Sequence, residues 1–410
     1  MPAVASNVNK ALKPEANSSR LLRFTGHSHF RQRLILSILS GRPVRIDAIR
    51  PEDQEPGIRD FEAGFLRLLE KVTNGSHVEI SYTGTSVLLR PGVIAGGTVN
   101  HDCGTSRSIG YFLEWITILA PFAKKELTLN LKGITTAEGD LGVDTLRTVT
   151  LPHLSLFLPL NTLSTLSSSL ELRILKRGAA PLGGGEILFR SPILAHLATI
   201  NFVEPGRIRK IRGIASSVRV SPQMSNRMVD RARGILGRYI PDLYLFADVY
   251  RGEDSGKSPG FALSLVSTST TGAIHSSEYV SRPSDPTKGL EALTPEDVAT
   301  KACHQLLEEI STKGCVDRSH QPLVLTLMAL GPQDVAKCRM GSLTPNAIQC
   351  LRDIKEALGV SFKITRVTEA REEEEQGEEE DDESITELKK REEVILSCVG
   401  INQRGFKKVG

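Results

Sequence analysis

Cysteine is scarce in this chain of 410 residues, and its spacing argues against the common zinc-binding arrangements. No two cysteines form a CxxC pair; they are Cys103, Cys303, Cys315, Cys338, Cys350 and Cys398. A zinc ribbon needs paired cysteines at short spacing, so we expect none here. Sparse cysteines in a chain of this size predict reduced thiols and a reducing compartment, such as the cytosol, nucleoplasm or nucleolus.

Long apolar runs are also missing. The longest, Trp115–Ala123 and Leu151–Leu160, are too short to span a bilayer. The first 20 residues are polar and contain no basic segment followed by an apolar stretch, which predicts a disordered tail over 1–20 rather than a signal peptide. We therefore expect no membrane partner.

The small net charge of +3 hides an uneven distribution. Residues 369–393 contain 14 acidic and 4 basic side chains. Since the chain has 51 basic and 48 acidic residues in total, 47 basic and 34 acidic residues lie elsewhere. Such a basic body suits a polyanionic partner such as RNA, although many soluble proteins are mildly basic. A segment as acidic as 369–393 is typical of a disordered loop, which could also contact a basic partner.

A pattern of strand, helix, strand, helix, strand, strand occurs three times in the predicted elements. It predicts an α/β (α+β) fold made of three βαβαββ repeats. The first copy has predicted strands at 21–25, 44–49, 77–82 and 86–89 and helices at 30–40 and 60–72. The second copy has a turn at 104–107, helices at 109–122 and 143–149, and strands at 126–131 and 170–175. Prolines 152 and 159 are expected to break the end of its second helix.

The third copy is predicted to begin at 184–190 and to be interrupted by a small domain at 193–290. Inside this insertion we predict a helix at 222–239 and strands at 208–214, 243–250 and 261–267. The third copy then resumes with a helix at 295–310, a strand at 323–329, a helix from Thr344 onward, and strands at 361–366 and 394–399. Thr294 and Pro295 are favourable residues for the start of the first of these helices. The large domain would comprise 21–192 and 291–410.

Three segments, in the same order along the chain, resemble the RNA 3'-terminal phosphate cyclases. They are an apolar helix followed by Gly41-Arg42-Pro43 and a loop ending in Pro56-Gly57; Lys176-Arg177-Gly178 followed by Pro181–Glu186; and Ser319-His320-Gln321 followed by Leu323-Val324-Leu325 and Met328-Ala329-Leu330. The resemblance covers nearly the whole chain. It implies three repeats around a core, with a small domain inserted in the third.

The same resemblance identifies a departure at the catalytic position. Cyclases work through a covalent adenylyl-histidine, in which a neutral imidazole nitrogen attacks the α-phosphate of ATP. The corresponding position here falls on or beside Asn346, and residues 341–347 contain no histidine. An amide nitrogen delocalises its lone pair into the carbonyl and is a very poor nucleophile, so Asn346 cannot carry AMP.

A second departure lies in the phosphate-binding turn. Where the family has Glu-Gly-Gly-Gly-Gln, this chain has Phe24, Thr25, Gly26, His27 and Ser28. Successive glycines let backbone N–H groups approach a phosphate, and His27 puts a side chain into that space. His27 and His29 have no acidic or cysteine companions, so we expect no metal and no cofactor. His320 is the histidine nearest to Asn346 in the sequence.

Four arginines fall in segments that flank the active site of the family. Arg31, Arg50, Arg107 and Arg177 could bind an anion or RNA, because a guanidinium fork binds phosphate without any chemistry. The alternative is that they are scattered surface arginines. The segment 252–258 resembles a P-loop, but it is one residue short and is followed by Pro259 and a strand, so we predict a flexible loop.

A mixed cluster lies on the last predicted helix. Arg352, Asp353 and Lys355 lie off its apolar face, formed by Ile348, Leu351, Ile354 and Leu358, so we expect all three to be exposed. An acid and two bases at this spacing could serve RNA cleavage, or could form a contact for a protein partner.

A cyclase-like chain without the nucleophile resembles the non-cyclase branch of this family, which acts in ribosome assembly. The resemblance implies a non-catalytic factor in early pre-rRNA processing for the small subunit, located in the nucleus and nucleolus. It also implies partnership with a nucleolar GTPase and with pre-rRNA in the small-subunit precursor particle. A pre-rRNA endonuclease is an alternative, and an active cyclase with an unexpected nucleophile is another.

Overall fold

The computed structural model of the protein describes residues 20–159, 170–282, 289, 291–367 and 393–405. The predicted tail, 1–20, lies outside these residues except for Arg20, and the predicted acidic loop, 369–393, lies outside them except for Glu393. Glu393 is buried, and its carboxylate accepts a hydrogen bond from Nε of Arg339.

The first part of the chain follows the predicted elements closely. Its elements are the strands β1 (Leu22–Thr25), β2 (Val44–Asp47), β3 (Thr73–Asn74), β4 (His77–Ile80), β5 (Val87–Arg90) and β6 (Val93–Ile94), and the helices α1 (Phe30–Ser40) and α2 (Asp60–Val72). Both helices have the predicted bounds. A four-stranded sheet has the order β1-β2-β5-β4, in which β1 and β2 are parallel and the other neighbours are antiparallel.

The second sheet has the order β7-β8-β10-β9. Its elements are the strands β7 (Gly97–Asp102), β8 (Leu127–Gly133), β9 (Glu171–Lys176) and β10 (Gly185–Ser191), and the helix α3 (Ile109–Leu119), which continues as a 3-10 turn over Ala120–Phe122. We predicted that the segment 184–190 opens the third copy. Instead β10 pairs with both β8 and β9, so it belongs to the second sheet.

A helix that we predicted to end before Pro152 continues through it. This helix, α4, consists of Val143–Thr145, a π-helical segment Leu146–Thr150, and Leu151–Ser155. The backbone N–H of Leu151 bonds to the carbonyl of Leu146, one residue further back than in an α-helix. Because the π segment widens the helix just before Pro152, the ring of Pro152 is accommodated instead of terminating the helix.

The insertion follows the short strand β11 (Asn201–Phe202) and has a sheet of its own. Its elements are the strands β12 (Ile208–Val218), β13 (Leu243–Tyr250), β14 (Gly260–Ser269) and β15 (Ile274–Val280), and the helices α5 (Pro222–Leu236) and α6 (Pro295–Ser311). The strand order is β13-β12-β14-β15. We assigned α6 to the third copy, but its residues Val298, Ala302 and Leu306 pack with those of α5 and β12 in a hydrophobic cluster.

The third sheet has the order β11-β16-β18-β17. Its remaining elements are the helices α7 (Gln321–Leu330) and α8 (Pro345–Leu358) and the strands β16 (Val335–Met340), β17 (Lys363–Arg366) and β18 (Val394–Val399). The predicted strand at 323–329 is wrong, because this segment is the helix α7. Every residue of α7 is buried, so the continuous apolar run carries no helical periodicity.

Three of the sheets share one strand order and one pattern of directions. In each, the first two strands are parallel, and a helix lies between them in the chain. A large hydrophobic cluster unites residues of all three sheets and their helices, whereas the insertion has a separate cluster. The fold is mixed α/β, as predicted. Among the described residues, no helix is long and apolar enough to cross a membrane.

Candidate functional site

A cavity of about 1090 Å³ lies where the three sheets and the insertion meet. Its walls come from the turn before α1, the beginnings of α2, α3, α7 and α8, the strand β15 and the helix α6. Among the residues that line it are His27, Ser28, His29, Arg31, Arg50, Glu62, Arg107, Tyr111, Glu114, Asp140, Glu278, Glu308, Glu309, Arg318, Thr344 and Asn346. The altered turn and Asn346, which are more than 300 residues apart in the sequence, therefore line one cavity.

The beginnings of several helices point toward this cavity. Residues at or just before the first turns of α1, α2, α3, α7 and α8 line it, including Phe30, Phe61, Pro322 and Asn346. The first N–H groups of a helix have no partner within the helix, and the helix dipole places partial positive charge there. The backbone therefore makes this region favourable for a negatively charged group, whatever the side chains are.

Three of the four predicted arginines line the cavity, and each is paired with a carboxylate. Arg31 Nη1 lies 2.8 Å from Glu114 Oε2. Both terminal nitrogens of Arg50 lie 2.8 Å from the oxygens of Glu62. Nε of Arg107 lies 3.0 and 3.1 Å from the two oxygens of Asp140. The three guanidinium groups are thus compensated by carboxylates within the cavity wall.

Tyr111 holds two of these arginines in place. The guanidinium of Arg31 lies 4.1 Å from the centre of the Tyr111 ring, and that of Arg107 lies 4.9 Å from it. Burial raises the pKa of Tyr111, so its phenol stays protonated. Cation–π contacts of this kind fix guanidinium planes without adding negative charge. Tyr111 carries no periodic signal in the sequence, because it lies in an apolar helix.

Arg177, the fourth predicted arginine, does not line this cavity. It is 1% exposed, and its terminal nitrogens lie 2.6 and 2.8 Å from the carboxylate of Asp144 and 2.8 Å from that of Asp248. Burial alone would lower the pKa of Arg177, but the two carboxylates more than offset it, and the pKa is raised. Arg177 joins the large domain to the insertion, so the prediction that it binds an anion is not supported.

Asn346 lies in the first turn of α8. Thr344 caps this helix by accepting a hydrogen bond from the N–H of Ala347 at 3.1 Å, and Pro345 occupies the first helical position. Gln321 holds the cap from the other side, because its Oε1 accepts from the N–H of Thr344 at 3.0 Å. The side chain of Asn346 is exposed to the cavity. The backbone around Asn346 is therefore held by the capped helix start, although the side chain at this position is an amide.

The altered turn has an unusual backbone for its sequence. Gly26 has a φ of 77°, and His29, which precedes α1, has a φ of 57° in the left-handed region. A non-glycine residue in this region stores strain, and such residues concentrate at ligand-binding sites. Burial lowers the pKa of His29, so its imidazole is neutral at physiological pH. Among the described residues, no group of three or more His, Cys, Asp or Glu side chains could hold a metal ion.

The cluster on α8 is only partly as predicted. Asp353 is 1% exposed, which contradicts the expectation that it faces solvent. Its carboxylate accepts from Gln32 Nε2 at 2.6 Å and from Gln349 Nε2 at 2.8 Å, and Arg33 Nε lies 3.4 Å away. Asp353 thus ties α8 to α1. Arg352 and Lys355 are exposed.

The apolar face of α8 also differs from the prediction. Ile348 is exposed, whereas Ala347, Cys350, Ile354 and Ala357 are buried. The buried face is shifted by about one residue, which brings Asp353 into the contact with α1.

A buried histidine pair was missed by sequence reasoning. The rings of His153 and His320 are stacked, with centres 5.2 Å apart. His320 Nδ1 lies 2.7 Å from Asp317 Oδ1, and its Nε2 lies 2.8 Å from Thr150 Oγ1. Burial would lower the pKa of His320, but Asp317 raises it; burial lowers that of His153 to about 4. Because His320 is buried in these contacts, it is not placed to replace the histidine that Asn346 lacks.

The segment that resembles a P-loop is packed against the large domain. It contains a short 3-10 helix, Gly252–Asp254, and leads into β14. The hydroxyl of Ser258 accepts from the N–H of Leu182 at 3.0 Å, and the carbonyl of Gly256 accepts from Arg219. No helix follows it, so its backbone is not arranged to hold a phosphate.

Comparisons with known proteins agree with this architecture. The sequence model of the family described as RNA 3'-terminal phosphate cyclase matches residues 22–364. The chain therefore belongs to the RNA 3'-terminal phosphate cyclase family.

Similar proteins come from distant eukaryotes. The "RNA 3'-terminal phosphate cyclase-like protein" of Mus musculus is 46% identical over 386 residues, which cover 94% of this chain and 97% of that protein. The "rRNA processing protein rcl1" of Schizosaccharomyces pombe is 45% identical over 350 residues, which cover 85% of this chain and 93% of that protein. A "Probable RNA 3'-terminal phosphate cyclase-like protein" of Dictyostelium discoideum is 46% identical, over 84% of this chain and 93% of that protein.

Proposed function

We propose that this protein is a non-catalytic ribosome assembly factor that acts in early pre-rRNA processing for the small subunit. It would work in the nucleolus and bind pre-rRNA and a nucleolar GTPase. The name of the similar Schizosaccharomyces pombe protein supports a role in rRNA processing, and the name of the Mus musculus protein supports a cyclase-like rather than a cyclase identity.

One observation carries the proposal. Asn346 lines the same cavity as the altered turn, at the position where the family resemblance places the nucleophilic histidine. The cap of α8 around it is intact, so the scaffold persists while the side chain cannot form a covalent bond to AMP. We infer that the cavity binds without catalysis.

The charges of the cavity favour a small anionic group over a triphosphate. The helix beginnings supply positive potential, but Glu62, Glu114 and Asp140 already compensate the arginines. A phosphate of the RNA backbone would need only a few N–H groups and one guanidinium. The larger negative charge of a triphosphate would be repelled by these carboxylates.

Incubation with ATP labelled at the α-phosphate tests the absence of catalysis. We expect no labelled protein after denaturation, because Asn346, which stands where the resemblance places the nucleophile, cannot form the phosphoramidate bond. An active cyclase in the same assay provides the positive control. An acid-labile, alkali-stable adduct on this protein, which is the signature of a phosphorus–nitrogen bond, would overturn the proposal.

Depletion of the protein in cells tests its role in ribosome assembly. We expect precursors of the small-subunit rRNA to accumulate while the large-subunit rRNA is made normally. The variant Asn346→Ala should restore processing, because the proposed function needs no group at this position. Unchanged precursor levels after depletion would contradict the proposal.

The exposed pair Arg352 and Lys355 is our candidate contact for the GTPase. In a pull-down, the double variant R352E/K355E should lose the GTPase, because charge reversal turns attraction into repulsion. The matched control is R231E/R233E on α5, another exposed helical surface. Equal retention of the GTPase by both variants would exclude this contact.

The endonuclease alternative gains no support from the geometry. RNA cleavage by this cluster would need a carboxylate that reaches the substrate, and Asp353 is buried with three side-chain partners. Cleavage of a pre-rRNA fragment by the purified protein, abolished in D353N, would favour the alternative.

A further inference from the structure

The sheet of the insertion has one covered face and one partly open face. On the covered face, Ile211 and Leu245 pack against α5 and α6. The residues that alternate with these along each strand point to the other face of the sheet, away from the helices. Near Ser216 and Val218 the second face meets the large domain, where these residues lie beside Arg177 and Gly178. The other end of this face, near the beginning of β12, carries none of these contacts.

Two aromatic side chains stand on the open end of this face. Tyr244 and Phe246 are separated by one residue on β13, and they are 53% and 50% exposed. Their ring centres lie 4.3 Å apart, and the rings are nearly perpendicular. Among the described strands, β13 pairs with β12 alone, which makes it an edge strand of this sheet. Two large, half-exposed rings in contact with each other form a rigid apolar platform, which has no role in either hydrophobic cluster.

Basic side chains border this platform. Residues 207–212 read RIRKIR, and Arg212 is in register with Tyr244 in the parallel pair of β12 and β13. Lys210 lies two residues before Arg212 and therefore on the same face. Asp242, just before β13, holds Arg212 Nη1 through its Oδ1 at 2.8 Å, and Asp248, the acidic residue of β13, is paired with Arg177. Positive charge thus exceeds negative charge around the rings.

We propose that this surface, formed by Tyr244, Phe246, Lys210 and Arg212, binds an unpaired segment of RNA. Bases would stack on the two rings, and the phosphates on either side would lie against Lys210 and Arg212. Stacking of bases on aromatic side chains together with a basic border is the general chemistry of single-strand recognition. This inference rests on the proposed function, in which RNA is a partner.

The chemistry favours a single strand over a duplex. In a duplex each base is already stacked and paired, so its faces cannot reach Tyr244 or Phe246. A duplex would contact only the basic side chains. A second copy of this chain or a peptide could instead add a strand to the edge of β13, but the charge of RIRKIR gives such partners no specific advantage.

Fluorescence anisotropy with the full-length protein tests the surface. The probe is a labelled single-stranded RNA of 12 nucleotides with mixed sequence, compared with the same strand annealed into a blunt duplex. We expect the single strand to bind at least about tenfold more tightly. The variant Y244A/F246A should lose about tenfold or more of the single-strand affinity, since each stacked base contributes substantially.

Two further variants separate stacking from folding. Y244L/F246L keeps apolar side chains at the edge strand but removes the rings, so it should lose affinity as the alanine variant does. Y244F/F246Y keeps both rings and should bind within about twofold of the original protein. In K210Q/R212Q the slope of log affinity against log salt should become shallower by about 1.4, because two phosphate contacts are removed.

Several results would overturn the inference. Unchanged single-strand affinity in both Y244A/F246A and Y244L/F246L would show that bases do not stack on the rings. Equal affinity for the duplex would mean that the surface binds RNA through charge alone. Concentration-dependent dimerisation that disappears in Y244L/F246L, without RNA binding, would make β13 a self-association edge. If the protein binds no RNA but its depletion blocks processing, this surface fails while the proposed function stands. If it binds RNA through the rings but depletion has no effect, the proposed function fails instead.

Discussion

The cavity and the open face of the insertion differ in how fully carboxylates compensate their basic side chains. In the cavity, Arg31, Arg50 and Arg107 are each paired with a carboxylate and held by aromatic or helical neighbours. On the insertion, RIRKIR presents four basic side chains within six residues, where Asp242 is the nearest acid. The cavity contains Asn346, where the resemblance places the nucleophile, yet its positive charge is largely compensated. A place in such a cavity therefore does not by itself make an arginine available to a ligand.

Arg177 is the most deeply buried of the compensated arginines, so its replacement should reduce the free energy of unfolding more than any other change proposed here. Arg177→Met leaves the carboxylates of Asp144 and Asp248 without their partner, and Asp144 is buried. Removing one member of a buried ion pair costs about 3–5 kcal/mol. Urea unfolding should show a loss of this size in the free energy of unfolding.

The control for Arg177 is an exposed pair. Arg45→Met removes the partner of Asp47, and both of these side chains face solvent, so the expected loss is below about 1 kcal/mol. Equal losses for the two variants would mean that burial does not distinguish these arginines.

The histidine pair should produce the next largest effect, which depends on pH. The folded-state pKa of His153 is about 4, below its ordinary value of 6.5, so the unfolded chain takes up the proton first. Its neutral form therefore favours folding above pH 6.5, and this contribution is lost as the pH falls toward 4. Between pH 7 and 4.5, the free energy of unfolding of H153Q should fall by about 2 kcal/mol less than that of the original protein. Urea unfolding at each pH measures the difference.

His320 provides the internal comparison for this experiment. Its pKa is raised by Asp317, so its contribution has the opposite sign: it is present below pH 6.5 and is lost as the pH rises through the folded-state value. H320Q should therefore lose the gain in stability that the original protein shows as the pH falls from the folded-state pKa of His320 to 6.5, and the contribution of this group to the profile below pH 6.5 should stay flat. If both variants gave the same pH profile as the original protein, neither histidine would titrate as described.

The smallest expected effect concerns the anion affinity of the cavity. Glu62→Gln removes the charge that compensates Arg50, so pyrophosphate should bind several-fold more tightly, by about 1 kcal/mol, in isothermal titration. Glu79→Gln, in an exposed pair with Arg90 outside the cavity, is the control and should change nothing. Weaker binding by E62Q would show that Glu62 positions Arg50 for the anion instead of opposing it.

Local signals in the sequence predicted much of the fold. Helices α1 and α2 have the predicted bounds because their ends carry clear signals; Gly41, for example, ends α1 with a φ of 67°. The segment 323–329 was predicted as a strand because a helix buried on all sides has no amphipathic pattern. The predicted end of α4 before Pro152 was wrong because a π-helical segment precedes this proline. Such a segment depends on the register of the backbone hydrogen bonds, which cannot be recognised from any single residue.

Only those residues of the candidate site that belong to recognisable motifs could be predicted from the sequence. The resemblance placed Arg31, Arg50, Arg107, Arg177 and Asn346 around one site, and all of these except Arg177 line the cavity. It could not reveal the partners of these arginines, which are far apart in the sequence. Asp353 was expected to be exposed because it lies off the predicted apolar face of α8; its partner Gln32, which lies 321 positions earlier in the chain, gave no local signal. Contacts over such separations follow from tertiary packing, not from local pattern.

The separate hydrophobic clusters also bear on how the molecule opens. The insertion buries its own apolar residues, including Ile211, Met228 and Leu306, so it can stay folded while its contacts with the large domain break. Contacts between the two include Arg177 with Asp248 and Glu278 with the N–H of Gly142, and Ala273 of the insertion packs in the large hydrophobic cluster. We therefore expect two cooperative units that separate at these contacts, where amide hydrogens should exchange before those of either core.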